Sequence, residues 1–192
     1  MELSSRQQEI VDVSIRLIAE HGIQYLTVKN ISREVGFSEP ALYRHFKSKA
    51  DIIMAILNSF QEISAFVLTE TEKDEFNSIQ KIEKFLFDRY QRFSANPAAT
   101  RVMFSEGIFQ DEEKFSHKML EIMHQHAFTM QTIIGAGQKN GEIRTDVPPR
   151  ELFRIIFGSM RLLVNQWCLS DFNFDLKLEG ELLWQAVQKM LN

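Results

Sequence analysis

Apolar residues recur at helical spacing along almost the whole chain. In the first segment, Val11, Ile15 and Ile18 are separated by four and then three positions, and Ile10 and Leu17 widen the same stripe. This spacing places one apolar face on an α-helix, because a helix turns once every 3.6 residues. No segment alternates apolar and polar residues as a half-buried β-strand does. The pattern therefore predicts an all-α protein.

Capping residues and glycines divide the N-terminal part into four helices. A side-chain oxygen at the start of a helix accepts from a free backbone N–H, and glycine allows the chain to leave the helix. The expected N-terminal caps are Ser5 (with Gln8 as a capping box), Thr27, Ser38 and Ser48 (with Asp51), and the expected ends are Gly22 and Gly36. The apolar stripe of the long fourth helix consists of Ile52, Ile56, Phe60, Ile63 and Val67.

Five further helices are expected in the rest of the chain. Asn96-Pro97, Asn140-Gly141 and Pro148-Pro149 interrupt the helical pattern and separate these helices. The apolar stripes cover residues 79–93, 97–107, 115–133, 152–167 and 178–190. The predicted architecture has about nine helices in total. They form a three-helix N-terminal domain over residues 1–48 and a larger helical domain over residues 49–192.

Composition indicates a soluble globular protein. Hydrophobic residues make up 44% of the 192 positions and charged residues 25%, which is not typical of a disordered chain. Cys168 is the single cysteine, so no internal disulfide is possible. We expect no apolar run long enough to cross a bilayer, and the first residues lack the apolar stretch of a signal peptide. These features predict a cytoplasmic protein with no membrane partner.

Residues 27–46 have the pattern of a helix-turn-helix, with two short helices joined by a turn at Gly36. Ile31, Val35, Leu42 and Phe46 are spaced to pack the two helices together. The formal net charge of the chain is −4, yet residues 27–49 hold five Lys or Arg against two Asp or Glu. A local basic patch attracts phosphate without making the whole protein basic. The side chains left to face outward are Lys29, Ser38, Glu39, Ala41, Tyr43, Arg44, His45 and Lys49.

Residues 6–60 resemble the DNA-binding domain of the TetR/AcrR family of transcription regulators. The matching residues are Thr27, Val28, Ile31, Gly36-Phe37-Ser38, Leu42-Tyr43-Arg44-His45-Phe46 and Ser48-Lys49. Ser32 departs from the usual alanine of the first helix of this motif, and Pro40 stands where many members have glycine. The second helix of the motif is the recognition helix, which enters the DNA major groove. Pro40 is expected to alter how closely it approaches DNA.

The resemblance implies that the protein binds a double-stranded DNA operator. Phosphate contacts are implied for Thr27, Tyr43, His45 and Lys49, and positions near base edges for Lys29, Glu39, Pro40 and Ala41. Without the resemblance, Tyr43 and His45 are also compatible with ordinary helix packing. The family's usual mode is repression of a pseudo-palindromic operator, relieved by a small ligand. The residues themselves leave activator and repressor open.

The larger domain is rich in Phe and Met. The chain has 16 Phe and 8 Met, and flexible Met beside rigid aromatic rings suits an adaptable apolar cavity. An ordinary core explains most of these residues, but the resemblance implies a cavity for a small lipophilic or aromatic effector. The expected lining is Phe60, Phe87, Tyr90, Met103, Phe104, Met123, His126, Met130 and Trp167. His126 is interpreted either as a core histidine or as a polar group of the cavity.

The last two helices are the expected dimer interface. The resemblance implies that they pair with the same two helices of a second copy, and a two-fold dimer suits the reading of a pseudo-palindrome. Gly158-Ser159 would permit close approach of helices, although packing within one chain has the same requirement. The interface residues expected are Leu152, Ile155, Gly158, Ser159, Leu162, Leu183 and Val187.

Two other classes of function are alternatives to DNA binding. An enzyme is disfavoured because no nucleophile elbow, phosphate loop or cysteine pair is present, and no cofactor is expected. His117, Glu121 and His124 share a helical face, but a solvated polar surface explains them better than a metal site. A helical lipid carrier that does not bind DNA is the second alternative. Binding to bulk DNA at low salt would exclude it.

Overall fold

The computed structural model describes residues 3–71, 76–109 and 112–192, except for the side chains of residues 70, 71 and 106. The described part contains nine α-helices and no β-strand, which confirms the predicted all-α fold. The helices are α1 (Ser5–His21), α2 (Val28–Val35), α3 (Glu39–His45), α4 (Lys49–Thr71), α5 (Ser78–Ala95), α6 (Pro97–Phe104), α7 (Glu113–Lys139), α8 (Pro149–Leu169) and α9 (Leu176–Leu191). Two short 3₁₀ helices, Ile23–Tyr25 and Glu106–Phe109, lie between them.

The capping box of α1 lies one residue earlier than predicted. Ser4 is the cap: its Oγ accepts from the backbone N–H of Gln7 at 3.3 Å, and the Gln7 side chain accepts from the Ser4 N–H at 3.0 Å. The sequence alone was ambiguous, because the pair Ser5 and Gln8 has the same spacing. In the structure Gln8 donates instead to the Asp12 carboxylate, one turn further along the helix.

The caps and the turn of the helix-turn-helix are confirmed. Thr27 Oγ1 accepts from the Asn30 N–H at 3.1 Å, and Ser38 Oγ accepts from the Ala41 N–H at 3.4 Å. Gly36 ends α2 with φ +75° and ψ +29°. This left-handed conformation is readily adopted by glycine, so the turn that orients α3 depends on this residue.

The chain divides into two compact units. The first comprises Met1–Glu62 with Ala98–Met119, and the second comprises Ile63–Pro97 with Leu120–Asn192. Helices α4 and α7 each supply residues to both units. The domain boundary expected after residue 48 stays a prediction, since α4 begins at that point and continues without a break.

The core of the first unit contains the apolar stripes predicted for α1, α2 and α3. Ile10, Ile31 and Leu42 are each at most 1% exposed, and Phe46 is also buried. Val35 is only half-buried. Burial of these side chains fixes α3 against α2, which leaves the opposite face of α3 to solvent.

In the second unit, α9 packs against α5 and α8. Gly180 of α9 lies so close to Tyr90 of α5 that a Cβ atom at this position would be 2.5 Å from the tyrosine ring. The indole N–H of Trp184 donates to the Glu83 carboxylate at 2.7 Å. These contacts make α9 an integral part of the core of this unit.

Helix α4 contradicts the expectation that no apolar run is long enough to cross a bilayer. By length and composition alone, the segment Lys49–Thr69 is long and apolar enough to cross a membrane. Half of its most apolar stretch, however, is buried within the protein. A core helix of a globular protein meets the same criterion. Ile52, Ile56 and Phe60 are buried as predicted, whereas Ile63 of the same stripe is exposed.

Candidate DNA-binding and effector sites

The outer face of the helix-turn-helix carries the predicted DNA-contacting side chains. The Ser38 cap begins α3, so Glu39 and Pro40 occupy its first turn, and Tyr43 has half of its surface exposed. The exposed members of the predicted set are Thr27, Lys29, Ser38, Glu39, Pro40, Tyr43 and Arg44, and the half-buried ones are Ala41, His45 and Lys49. The arrangement is an exposed polar helix surface with the donors and acceptors that contact phosphates and base edges.

Besides the caps Thr27 and Ser38, His45 and Lys49 also have contacts within the protein. The His45 ring stacks on Phe37 with centroids 5.9 Å apart, and the His45 carbonyl accepts from the Gln7 side chain at 3.2 Å. The Lys49 ammonium donates to the Ile23 carbonyl at 3.3 Å. The assigned phosphate contacts of His45 and Lys49 therefore stay predictions, and each residue also supports the local fold.

Lys47 is a basic residue that the predicted set omitted. It is exposed in the loop between α3 and α4. The sequence signal was available, because Lys47 lies within the cluster of basic residues between Arg44 and Lys49.

The predicted effector-pocket residues are divided between the two units. Phe60, Met103 and Phe104 belong to the first unit, and Phe87, Tyr90, Met123, His126, Met130 and Trp167 belong to the second. Cavities of about 850 Å³ in the first unit and about 250 Å³ in the second are lined by other residues. The predicted lining thus stays a prediction as a set.

Several predicted pocket residues have packing roles of their own. Trp167 is buried, and its indole N–H donates to the Phe174 carbonyl at 3.0 Å. The ring of Phe172 lies edge-on to Trp167, with centroids 4.7 Å apart. Met123, in contrast, is 39% exposed. These positions show why helical spacing could not separate a cavity lining from a packed core.

A buried polar cluster in the second unit joins α4, α5 and α7. Arg89 of α5 is 3% exposed, and its Nη2 donates to the Ser64 hydroxyl at 3.0 Å and contacts Nε2 of His126. The guanidinium carbon lies 5.3 Å from the centre of the Phe85 ring. The His126 ring contacts both Phe85 and Phe157, with centroid distances of 5.8 and 5.7 Å, and these two rings also contact each other. We call Arg89, Ser64 and His126 the Arg89 cluster.

Burial determines the protonation of this cluster. Burial, with a smaller contribution from the charge of Arg92, lowers the pKa of Arg89 to about 10, so Arg89 remains a cation at neutral pH. Burial and the charge of Arg89 lower the pKa of His126 to about 3, so that histidine is neutral. Since the guanidinium only donates, Nε2 of His126 accepts and its proton resides on Nδ1. Among the described residues, no carboxylate pairs with Arg89.

Sequence reasoning identified His126 but missed Arg89. Arg89 falls in the apolar stripe of α5, seven residues after Ile82, three after Leu86 and four before Phe93. A basic residue within an apolar stripe was the signal that could have identified it.

The dimer interface predicted on α8 and α9 needs correction at two positions. Leu152 and Val187 are 4% and 5% exposed, so they belong to the core of the second unit and do not face outward. Ser159 and Leu183 are half-buried, while Ile155, Gly158 and Leu162 are exposed. The outward faces also carry large exposed apolar residues that were not predicted: Leu169, Leu178, Leu182 and Met190.

The possible metal ligands of α7 do not form a site. His117, Glu121 and His124 are all exposed, and His117 lies 3.5 Å from the Glu113 carboxylate. Within the described ranges, no three His, Cys, Asp or Glu residues are grouped so that they would hold a metal ion.

Two family models together match most of the chain. Residues 10–56 match the model of bacterial regulatory proteins of the tetR family, and residues 60–189 match the C-terminal region of YsiA-like proteins. The fatty acid metabolism regulator protein of Bacillus subtilis (strain 168) is 24% identical over 173 residues. That match covers 89% of this chain and 88% of the relative.

Solved structures share the fold over nearly the full length. The fatty acid degradation regulator FadR from Bacillus halodurans superposes with a TM-score of 0.87 at 18% identity, covering 100% of this chain and 99% of the other. FadR from Bacillus subtilis in complex with stearoyl-CoA has a TM-score of 0.81 at 21% identity, covering 96% and 99%. The family matches decide the assignment: this chain belongs to the TetR family of bacterial regulatory proteins and is a DNA-binding transcription regulator.

Proposed function

We propose that the protein is a cytoplasmic repressor that leaves its operator when a small apolar molecule binds its C-terminal helices. The exposed polar face of α3, fixed by the Ser38 cap and the Gly36 turn, is the observation that supports DNA binding. Operator contacts by the helix-turn-helix require this outward face, because the opposite face of α3 is buried.

The residues on this face fit two kinds of DNA contact. Tyr43, Arg44 and Lys47 carry exposed donors or charges that suit phosphate oxygens. Glu39 and Ala41 occupy the first turn of the recognition helix, where a carboxylate accepts from cytosine N4 and a methyl group contacts thymine. Phosphate contacts position the protein on DNA, and the first turn supplies the sequence preference.

We infer a lipophilic effector that binds within the second unit. The Phe- and Met-rich composition of the C-terminal helices supports this inference. A relative of similar length regulates fatty acid metabolism, and a structural neighbour was solved with stearoyl-CoA. A long apolar chain is therefore the effector class that we favour.

A second copy of the chain is the proposed partner of α8 and α9. Leu162 is 61% exposed on α8, and Leu178 and Leu182 are exposed on α9. Burying these side chains against a second copy removes apolar surface from water, which favours association. A dimer with two-fold symmetry also places two recognition helices on the two half-sites of a pseudo-palindrome.

Operator binding tests the DNA-binding part of the proposal. Genomic fragments selected by the purified protein provide the operator. The double variant Tyr43→Phe, Arg44→Ala should bind it at least about tenfold more weakly, and the salt dependence should flatten by about one unit per lost charge contact. Arg150→Ala, an exposed arginine paired with Glu151 on α8, is the matched control. Unchanged affinity of the double variant would exclude this face of α3.

Operator release tests the effector part. An apolar molecule that weakens operator binding must itself bind more weakly, by the same factor, when operator is present. Titrations with and without operator measure both factors. A compound whose affinity is equal in both titrations is not an effector.

A further inference from the structure

We propose that the Arg89 cluster binds an anionic group, carboxylate or phosphate, carried by the apolar effector. The inference rests on the proposed ligand response and adds to it the chemical class of the ligand. It concerns three residues of the second unit: Ser64 of α4, Arg89 of α5 and His126 of α7.

Arg89 is a buried cation with no buried anion beside it in the described part of the chain. Its two hydrogen-bond partners are a serine hydroxyl and a neutral imidazole, and both are buried as well. Removing a guanidinium from water is costly unless an opposite charge compensates. No carboxylate among the described residues supplies that charge. An anion from outside the protein would supply it.

Several hydrogen-bond donors of the cluster have no partner among the described residues. Both contacts of Arg89 leave from Nη2, so the N–H groups on Nε and Nη1 have no partner among the described residues. Ser64 accepts from Arg89, and its own O–H can donate to a ligand. His126 accepts through Nε2, which leaves Nδ1–H as a donor. A group of donors with little acceptor capacity matches the oxygens of a carboxylate or a phosphate.

The surroundings of the cluster suit a ligand whose remaining part is apolar. Phe85 contacts both the guanidinium and the His126 ring. Phe157 packs on His126, and Phe153 packs on Phe157 with centroids 5.1 Å apart. Aromatic walls keep the local dielectric low, which strengthens attraction between Arg89 and an anion.

The position of Ser64 links anion binding to the DNA-binding part of the chain. Ser64 lies on α4, the helix that begins four residues after the end of α3. An anion that takes over the Arg89 donor now bound to Ser64 changes a contact of α4 directly. Binding of the charged group would therefore act on the helix that follows the recognition helix along the chain.

Three ligands with the same sixteen-carbon chain test the inference. Palmitate supplies the anion as a carboxylate, palmitoyl-CoA supplies phosphate groups, and 1-hexadecanol supplies no charge. Their affinities are measured by titration of the full-length wild type, Arg89→Met and Arg92→Met. Arg92 is the matched control, because it lies three residues along α5, is exposed and stacks over Phe66.

The expected result is selective loss of anion binding. Arg89→Met should weaken palmitate, palmitoyl-CoA or both by about tenfold or more, as loss of a charge-assisted contact implies. Its affinity for 1-hexadecanol should equal that of the wild type, and Arg92→Met should bind all three normally. Loss for palmitate alone identifies a carboxylate ligand, and loss for palmitoyl-CoA alone identifies phosphate.

Three results would overturn the inference: no anionic ligand binds the wild type, Arg89→Met binds both anions normally, or it loses 1-hexadecanol equally. Thermal unfolding checks the fold of each variant. If Arg89→Met is unfolded, Arg89→Gln and Ser64→Ala replace it in the same comparison.

Operator binding is measured in parallel. Operator release that does not depend on Arg89 overturns this inference alone, whereas absence of operator binding by the wild type overturns the proposed function.

Discussion

The recognition helix and the Arg89 cluster hold their charged groups in opposite environments. Glu39 and Arg44 of α3 are exposed to water, whereas Arg89 is 3% exposed. Exposed charges cost little to keep and are available to DNA without rearrangement. A buried cation without a counter-charge is costly, so its retention indicates an anionic partner that the described part of the chain does not supply. The recognition helix has its charged groups in place before DNA binds, whereas the Arg89 cluster gains its counter-charge only when an anion binds.

The same contrast between outward and inward positions applies to two glycines of the last helices. Gly158 of α8 is exposed, and a Cβ atom at this position would have nothing within 4 Å, while a Cβ atom at Gly180 of α9 would meet the Tyr90 ring. A side chain at Gly158 therefore has open space around it and would meet the second copy of the proposed dimer, whereas one at Gly180 meets the core of its own chain.

Gly158→Arg should have the largest effect, and it should act on the dimer alone. An arginine there would be buried without a partner between two copies, which costs several kilocalories per mole. The single chain should remain folded, because the position is open. Sedimentation should show a monomer, circular dichroism a native helix content, and operator binding should be lost. A stable dimer of this variant would place the interface elsewhere.

Gly180→Ala should destabilise the chain itself by about 1–3 kcal/mol. The added methyl group must displace the Tyr90 ring, and overpacking of a filled core has this order of cost. Gly158→Ala is the control, and it should be neutral or stabilising by up to about 1 kcal/mol, since alanine favours helix. Chemical denaturation measures both. Equal stability of the two variants would contradict the tight packing of α9 on α5.

Acid should weaken the buried cluster through His126. Its pKa is lowered from 6.5 to about 3, so below pH 6.5 the unfolded chain binds a proton at His126 that the folded chain does not bind. The contribution of neutral His126 to the free energy of unfolding is complete above pH 6.5 and is lost as the pH falls towards 3. At pH 5 the loss is about 2 kcal/mol, at 1.36 kcal/mol per pH unit. The comparison is the change in unfolding free energy between pH 7 and pH 5 for wild type and His126→Gln.

The wild type should lose about 2 kcal/mol more than His126→Gln over that interval. Other titrating groups are common to both proteins and cancel in the difference. An identical pH dependence would mean that His126 titrates normally.

Ser32→Ala should give the smallest effect, a gain of about 1 kcal/mol. Ser32 of α2 is buried, and its hydroxyl has no hydrogen-bond partner among the described residues. Ser14→Ala is the matched control, because that buried hydroxyl donates to the Ile10 carbonyl at 2.7 Å and its removal brings no such gain. Thermal unfolding of the two variants decides, and operator affinity should stay unchanged in both.

The sequence was sufficient for the helices and for the helix-turn-helix. Caps such as Thr27 and Ser38 are local signals, since the side chain and the backbone group that it binds are three residues apart. The prediction of Ser5 as the cap of α1 was wrong, because Ser4 with Gln7 has the same local spacing as Ser5 with Gln8.

Facts that depend on tertiary packing could not be predicted. Helix α8 has apolar residues on two faces, and spacing alone does not say that Leu152 is buried while Leu162 is exposed. The Arg89 cluster joins residues from three helices, 25 and 37 positions apart along the chain. Such a contact has no local pattern, although an arginine within an apolar stripe was a hint.

The positions of the two tryptophans determine which events the intrinsic fluorescence of this protein can detect. Trp167 and Trp184 are the two indoles of the chain, both are buried, and both belong to the second unit. Their emission should therefore be blue-shifted and should follow events among the C-terminal helices. Docking of α3 on DNA takes place in a unit that has no indole. Intrinsic fluorescence should thus report binding of the proposed effector without a label, and a dye on the DNA would report operator binding separately in the same sample.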